Sequence, residues 1–327
     1  MAHFETADIV LDVQNLRTHF ETRWGTVKAV DGVSFTLRRG ETLGIVGESG
    51  CGKSVTMLSL MRLIRTPPGR IVSGKIILDG EDLLTLPEPS MTKIRGGQMA
   101  LIIQDPMTSL NPVFSIGSQV AEAIRLHQRT PKASLLQKVL EVLRKVHIPA
   151  AEVRVRDYPH QMSGGMRQRV VGAMGISCQP MVLIADEPTT SLDVTIQAQY
   201  LKLLKDLQRE SGVSLIFITH DFGIVAKMCD RVAVMYAGKI VEEGDVRAIF
   251  NHPSHPYTEA LLASVPKMEE DVERLYAIEG QPPALHNLPP GCAFADRCPA
   301  VMERCHAEYP HAVPVGDGHT AACWRLV

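Results

Sequence analysis

The sequence predicts an α/β fold: a largely parallel sheet carrying a phosphate-binding loop, an inserted helical subdomain, and a small loop-rich, cysteine-containing C-terminal extension. Three observations predict it. Residues 43–46 form a short apolar run that passes through Gly47-Glu48-Ser49-Gly50-Cys51-Gly52-Lys53-Ser54 into the apolar pattern of residues 55–63, reading as strand, glycine-rich turn and helix. The continuous apolar run at 181–185 and the largely apolar stretch 213–218, separated by a helical pattern, suit buried strands of a parallel sheet. Beyond Pro253 the composition shifts, with 10 of the 21 prolines and four of the seven cysteines in the last 75 residues. The expected organisation is a nucleotide-binding domain over residues 1–252, holding a helical subdomain at about 115–178, and an extension over 253–327.

In chain order, residues 9–13 and 28–37 read as strands. Phe20 and Trp24 stand between them in a polar segment, where either can stack on an adenine ring or pack as a partly buried aromatic. Residues 76–78 followed by Asp79-Gly80 read as strand and turn, and the run 99–103 ends at Gln104-Asp105-Pro106. From 115 to 178 the pattern is helical, with Leu136, Val139, Leu140, Leu143 and Val146 as one apolar stripe. A further helix is expected from Ser163-Gly164-Gly165 through Val170, Val171 and Met174 toward Ser177. The run 181–185 closes on Asp186-Glu187-Pro188. Beyond Asp193 a helix places Ile196, Tyr200, Leu203, Leu204 and Leu207 on one face and stops near Gly212. Past the strand 213–218 comes His220, and 232–236 and 240–241 read as paired strands joined at Gly238.

Composition bounds the function. The chain has 327 residues, 45% hydrophobic and 21% charged, with a formal charge of −2, so no basic excess points to nucleic acid. Met1-Ala2-His3-Phe4-Glu5 has neither a basic n-region nor an apolar h-region, and no run approaches the roughly 18 apolar residues of a spanning helix. A cytosolic protein is expected, whose cysteines are thiols or metal ligands rather than disulfides.

The glycine-rich octapeptide fills every required position of the P-loop pattern. Its glycines allow backbone N–H groups to wrap phosphates, with Gly47, Ser49, Gly50 and Gly52 shaping the cradle, and the helix start adds partial positive charge. Lys53 can reach the β- and γ-phosphates, and the Ser54 hydroxyl can ligate Mg²⁺. An apolar strand ending in two acids supplies what phosphoryl transfer needs beside such a loop. Asp186 would hold Mg²⁺, directly or through water, and Glu187 would orient or deprotonate the attacking water.

Ser163-Gly164-Gly165-Met166 resembles the signature motif of the ATP-binding cassette (ABC) ATPases and lies between the P-loop and the acidic strand, as in that family. Gln104 is similar to its Q-loop glutamine, Ser191-Leu192-Asp193 to its D-loop and His220 to its switch histidine. The resemblance covers about residues 8–250 and implies a P-loop NTPase core of the ABC type. It also implies a head-to-tail dimer sandwiching two ATP molecules, in which the P-loop of one chain faces Ser163 and Gly165 of the other. Gln104 joins Ser54 and Asp186 as a Mg²⁺ neighbour, Asp193 lies at the shared interface, and His220 contacts the γ-phosphate. Met166 stands where the wider family commonly has glutamine; methionine there resembles the peptide-import subgroup.

The tail resembles that subgroup as well. His255-Pro256-Tyr257-Thr258, Ala260-Leu261-Leu262, Gly280-Gln281-Pro282-Pro283 and Gly291-Cys292 are similar to the C-terminal region of dipeptide and oligopeptide importer ATPases, as is the segment from Asp105 to Pro112. Cys292, Cys298, Cys305 and Cys323 can bind Zn²⁺ or an iron–sulfur cluster; no Cys-x-x-Cys pair occurs, and the resemblance favours a four-iron, four-sulfur (4Fe-4S) cluster. Cys51, Cys178 and Cys229 read as packing residues. The implied protein is a peripheral ATPase at the cytoplasmic face of the cell membrane, powering dipeptide or oligopeptide uptake. Its implied partners are a second ABC ATPase subunit, as a heterodimer with a paralogue, two transmembrane permeases and an extracytoplasmic solute-binding protein, with no nucleic acid. Nickel, opine or sugar uptake and a soluble cassette ATPase outside transport are the alternatives.

Overall fold

The computed structural model describes residues 8–190, 192–265 and 276–327. The N-terminal segment Met1 to Glu5 and Ser191 of the D-loop lie outside the described residues, as do the side chains of Pro106 and Met107. In chain order the strands are β1 (Ile9–Thr22), β2 (Gly25–Arg38), β3 (Thr42–Val46), β4 (Gly69–Leu78), β5 (Glu81–Asp82) and β6 (Met99–Ile102). They continue with β7 (Val182–Asp186), β8 (Ser214–Ile218), β9 (Arg231–Tyr236), β10 (Lys239–Asp245), β11 (Val313–Gly316) and β12 (His319–Ala321). The chain forms two compact units, one built on Thr85–Phe217 with Leu37–Glu41, the other on Leu11–Thr36, Thr42–Leu84 and Ile218–Val327. Among the described residues no helix is long and apolar enough to cross a membrane.

In the unit built on Thr85–Phe217, β6 and β7 run parallel, with Met99 opposite Val182 and Ile102 opposite Ala185. Val182, Leu183, Ile184 and Ala185 are all buried, as the unbroken apolar run requires. The region from 115 to 178 is helical as expected, with helices Ile116–His127, Lys132–Lys145, Ala151–Arg154 and Gly164–Ile176. Ile116, Val120, Ile124, Val139, Leu143, Val146 and Val170 make its core. The expected stripe is buried over only part of its length: Leu136, near the N-terminal end of helix Lys132–Lys145, is 58% exposed although it shares the face of Val139 and Leu143, which are buried. Helix Val194–Ser211 starts where Asp193 accepts from the Ile196 N–H and ends at Gly212, φ 69°. Its buried face holds Tyr200, Leu203, Leu204 and Leu207.

In the other unit β1 pairs antiparallel with β4, Leu11 opposite Leu78 and Val13 opposite Ile76, in a four-stranded sheet ordered β2-β1-β4-β5. Beside it, β3 pairs parallel with β9, Val46 opposite Val234, and β9 turns through Ala237 and Gly238, both at positive φ, into antiparallel β10. The stretch read as loop-rich holds more regular structure than its composition suggested: helix Pro256–Ala263, and β11 and β12. Strand β12 pairs with β10, Glu242 opposite Ala321, so the end of the chain continues a sheet. A buried carboxylate fastens this edge. Glu242 accepts from the Ser254 N–H at 2.7 Å and the His255 N–H at 3.0 Å, and lies 2.7 Å from His319 Nε2.

Candidate active site

The P-loop joins β3 to helix Lys53–Leu60. Gly47, Gly50 and Gly52 have φ of 152°, 80° and 107°. A Cβ on Gly47 would stand 2.1 Å from the Met235 carbonyl oxygen, and one on Gly52 2.1 Å from the Ala29 carbonyl oxygen, so these positions exclude any side chain. Beside Gly50 the space is open, and Ser49 and Ser54 are exposed, so the crown of the loop has room for a ligand. Lys53 is buried and folds back on the loop, its Nζ donating to the Gly47 and Glu48 carbonyls at 2.7 and 3.0 Å. Those carbonyls fix the ammonium against the loop. Cys51 is buried, and burial pushes its thiol up, with Lys53 nearby opposing. This agrees with its reading as a packing residue.

Two residues of the P-loop environment are invisible from sequence spacing. Tyr257 Oη accepts the Glu48 N–H at 2.8 Å. Arg297 grips the Glu48 carboxylate with both terminal nitrogens, at 2.6 and 2.9 Å.

The acids stand at the end of β7. Because Ile102 pairs with Ala185 in parallel register, the residues two positions further on, Gln104 and Glu187, emerge side by side. Gln104 Nε2 donates to Glu187 Oε2 at 2.8 Å, and Thr190 Oγ1 donates to the same oxygen at 3.1 Å. Glu187 sits at φ 44°, a left-handed position costly for a non-glycine residue and found preferentially at functional sites. Asp186 is half-buried at the strand end. In the same unit Ser163 is exposed and caps helix Gly164–Ile176, its Oγ accepting the Met166 N–H at 3.3 Å. Gly164 is open, whereas a Cβ on Gly165 would meet the Ile196 side chain at 2.5 Å, so Gly165 also serves helix packing. Asp193 likewise has a structural duty as the cap of helix Val194–Ser211.

His220 is exposed and follows β8 by two residues, just before Asp221 caps helix Phe222–Met228. Phe20 is half-buried in β1, its ring against Gly69, where a Cβ would lie 2.7 Å from Phe20 Cε1. Trp24 is exposed, with the Arg23 guanidinium 4.3 Å over its ring. Phe20 packs against Gly69, and Trp24 is the more exposed of the two aromatics.

Cys292, Cys298, Cys305 and Cys323 are free thiols lining one narrow cavity with Phe294 and Trp324. Burial pushes the Cys292 thiol up to about 11, the neighbouring Cys305, Cys298 and Cys323 adding to the rise, and it also raises Cys298 and Cys323. The donor chemistry fits a soft, thiolate-bound metal centre. The side chains are not preassembled into one: among the described residues no three His, Cys, Asp or Glu side chains are grouped to hold a metal ion. The four thiols therefore share one cavity, and the expected iron–sulfur or zinc ligand set is not formed among the described residues.

Comparison with known proteins agrees with this geometry. The chain matches the ABC transporter family over residues 30–190 and the C-terminal region of oligopeptide/dipeptide transporters over residues 241–305. It is 51% identical over 315 residues to the dipeptide transport ATP-binding protein DppD of Bacillus subtilis, covering 96% of this chain and 94% of that one. It is 47% identical over 315 residues to the oligopeptide transport ATP-binding protein AppD of the same organism, covering 96% of each. Among solved structures, a bacterial ABC transporter cassette determined as a dimer superposes with a TM-score of 0.65 at 25% identity, covering 72% of this chain and 99% of that one. With a P-loop, paired acids, a signature helix and this likeness along nearly its whole length, the chain belongs to the family of peptide ABC transporter ATP-binding proteins.

Proposed function

We propose that the chain is the ATP-hydrolysing subunit of an importer for dipeptides or oligopeptides, peripheral to the cytoplasmic face of the membrane. The observation that carries this reading is the near full-length likeness to two peptide-transport ATP-binding proteins, together with the match to the peptide transporters' C-terminal region. That region also favours peptides over nickel, opines or sugars as solute.

Two cassettes, this chain and a paralogue, would close head to tail on two ATP molecules. The P-loop of one would face Ser163 and Gly165 of the other, near Asp193. Glu187, oriented by Gln104, would position or deprotonate the attacking water, and His220 would contact the γ-phosphate. Ser54, Gln104 and Asp186 would hold Mg²⁺, which neutralises charge on the phosphate oxygens. Two permeases and an extracytoplasmic solute-binding protein would complete the assembly. Affinity purification of the full chain from its own membranes tests this. Two multi-spanning membrane proteins and a second cassette should accompany it; recovery without any membrane protein would overturn the transporter reading.

For the four cysteines we favour a 4Fe-4S cluster over zinc, supported by four free thiols on one cavity and the lack of a Cys-x-x-Cys pair. Anaerobically purified protein should be brown, with broad absorbance near ~400 nm. Colourless protein with stoichiometric zinc would decide for zinc.

A further inference from the structure

Glu48 is an acid inside a loop built to surround phosphate. Left alone, its carboxylate would oppose the binding of a polyanion a few ångströms away. The chain answers it from 249 residues downstream, where Arg297 places two nitrogens on the two carboxylate oxygens, Nη1 to Oε2 at 2.6 Å and Nη2 to Oε1 at 2.9 Å. The remaining donors of the guanidinium are used as well. Nε donates to the Glu279 carbonyl at 3.0 Å, Nη1 to Tyr236 Oη at 3.2 Å and Nη2 to the Ile278 carbonyl at 3.4 Å. A guanidinium satisfied in all five directions has one orientation.

The frame behind it is aromatic. Tyr236, Tyr257 and Phe294 pack with ring centroids 4.5 to 5.3 Å apart. Tyr257 Oη then takes the Glu48 N–H, leaving the Glu48 carbonyl to receive Lys53 Nζ at 3.0 Å. Glu48 is thus held at its side chain, its N–H and its carbonyl, and the third contact is the P-loop lysine.

We propose that Arg297 and Tyr257 are positioning residues of the nucleotide site: they neutralise Glu48 and fix the loop segment that presents Lys53. The C-terminal extension is then part of the ATP-binding machinery. Arg297 directly precedes Cys298, so one peptide bond and the Arg297–Glu48 ion pair connect the cysteine cavity to the P-loop. This inference rests on the ATP-binding reading above and adds residues to it.

The test is equilibrium binding of MgATP and MgADP to the full-length subunit, with thermal melts to establish folding. Arg297→Gln should weaken MgATP binding about tenfold or more, and MgADP binding less, since the exposed carboxylate repels the more highly charged ligand harder. Arg297→Gln combined with Glu48→Gln should recover most of that loss, which a merely structural role for Arg297 would not allow. Tyr257→Phe should raise the KM for ATP about threefold or more while kcat stays within about twofold. Wild-type affinity in folded Arg297→Gln, or a double variant no better than the single one, would overturn the proposal. Should Arg297→Gln fail to fold, an unchanged KM in Tyr257→Phe overturns it equally. If wild type showed no saturable MgATP binding, the nucleotide reading itself would fall, a result distinct from loss in the variants alone.

Discussion

Gln104 Nε2 lies 2.8 Å from Glu187 Oε2, the two side chains delivered by adjacent parallel strands in matched register. The amide steadies the carboxylate that the proposed mechanism sets against water. Glu187→Gln keeps an acceptor for Gln104 and removes the base. Single-turnover assays should show hydrolysis reduced at least about 100-fold, with ATP binding kept and an ATP-trapped dimer visible by gel filtration. Turnover near wild type would exclude Glu187 as the base.

Gly52 and Gly50 allow a matched comparison. Both lie at positive φ, but only Gly52 has a carbonyl oxygen 2.1 Å from where a Cβ would go. Gly52→Ala must displace the Ala29 backbone and should weaken ATP binding more than about tenfold, by isothermal titration. Gly50→Ala carries only the conformational cost, about 1 kcal/mol, in the thermal melt.

Glu242 is a fully buried carboxylate with two N–H donors and His319 around it. Glu242→Gln turns one acceptor oxygen into a donor facing another donor. Urea unfolding should show a loss of about 2–4 kcal/mol. The loss should be smaller in a His319→Gln background, since the two residues share one contact.

His255 fixes a pH dependence. Burial holds its imidazole down to about 4, with Arg325 adding to the effect, and its neutral Nδ1 accepts the Tyr257 N–H at 3.0 Å. The unfolded chain binds the proton near the ordinary value of 6.5 and the folded chain does not. Stability from this group is therefore complete above about pH 6.5 and is lost as pH falls toward 4, by up to about 3 kcal/mol. Urea midpoints measured from pH 7 to 4.5 should fall less steeply in His255→Asn, which keeps a capping acceptor without the titration.

What the sequence made legible was local. The P-loop, the Asp193-to-Gly212 helix and the Gly238 turn each carry their signal within a few residues, through glycine conformation and cap chemistry. The order of motifs carried the family resemblance. The Gln104–Glu187 contact depends on strand register, and the Glu48–Arg297 pair spans 249 residues, so neither follows from spacing. Strands β11 and β12 are four and three residues long, and β11 contains Pro314, so composition presented them as loop. The cysteine spacing suggested a metal site, yet a ligand set depends on thiol geometry that spacing does not specify.

The most direct measurement of the central claim is uptake of labelled dipeptide and oligopeptide into vesicles containing the assembled transporter, with ATP supplied on the side of this subunit. The account predicts ATP-dependent accumulation by wild type and none with Lys53→Ala, although that variant still co-purifies with the permeases. Accumulation unaffected by Lys53→Ala, or none of either peptide in an assembly that hydrolyses ATP and takes up another solute, would contradict it.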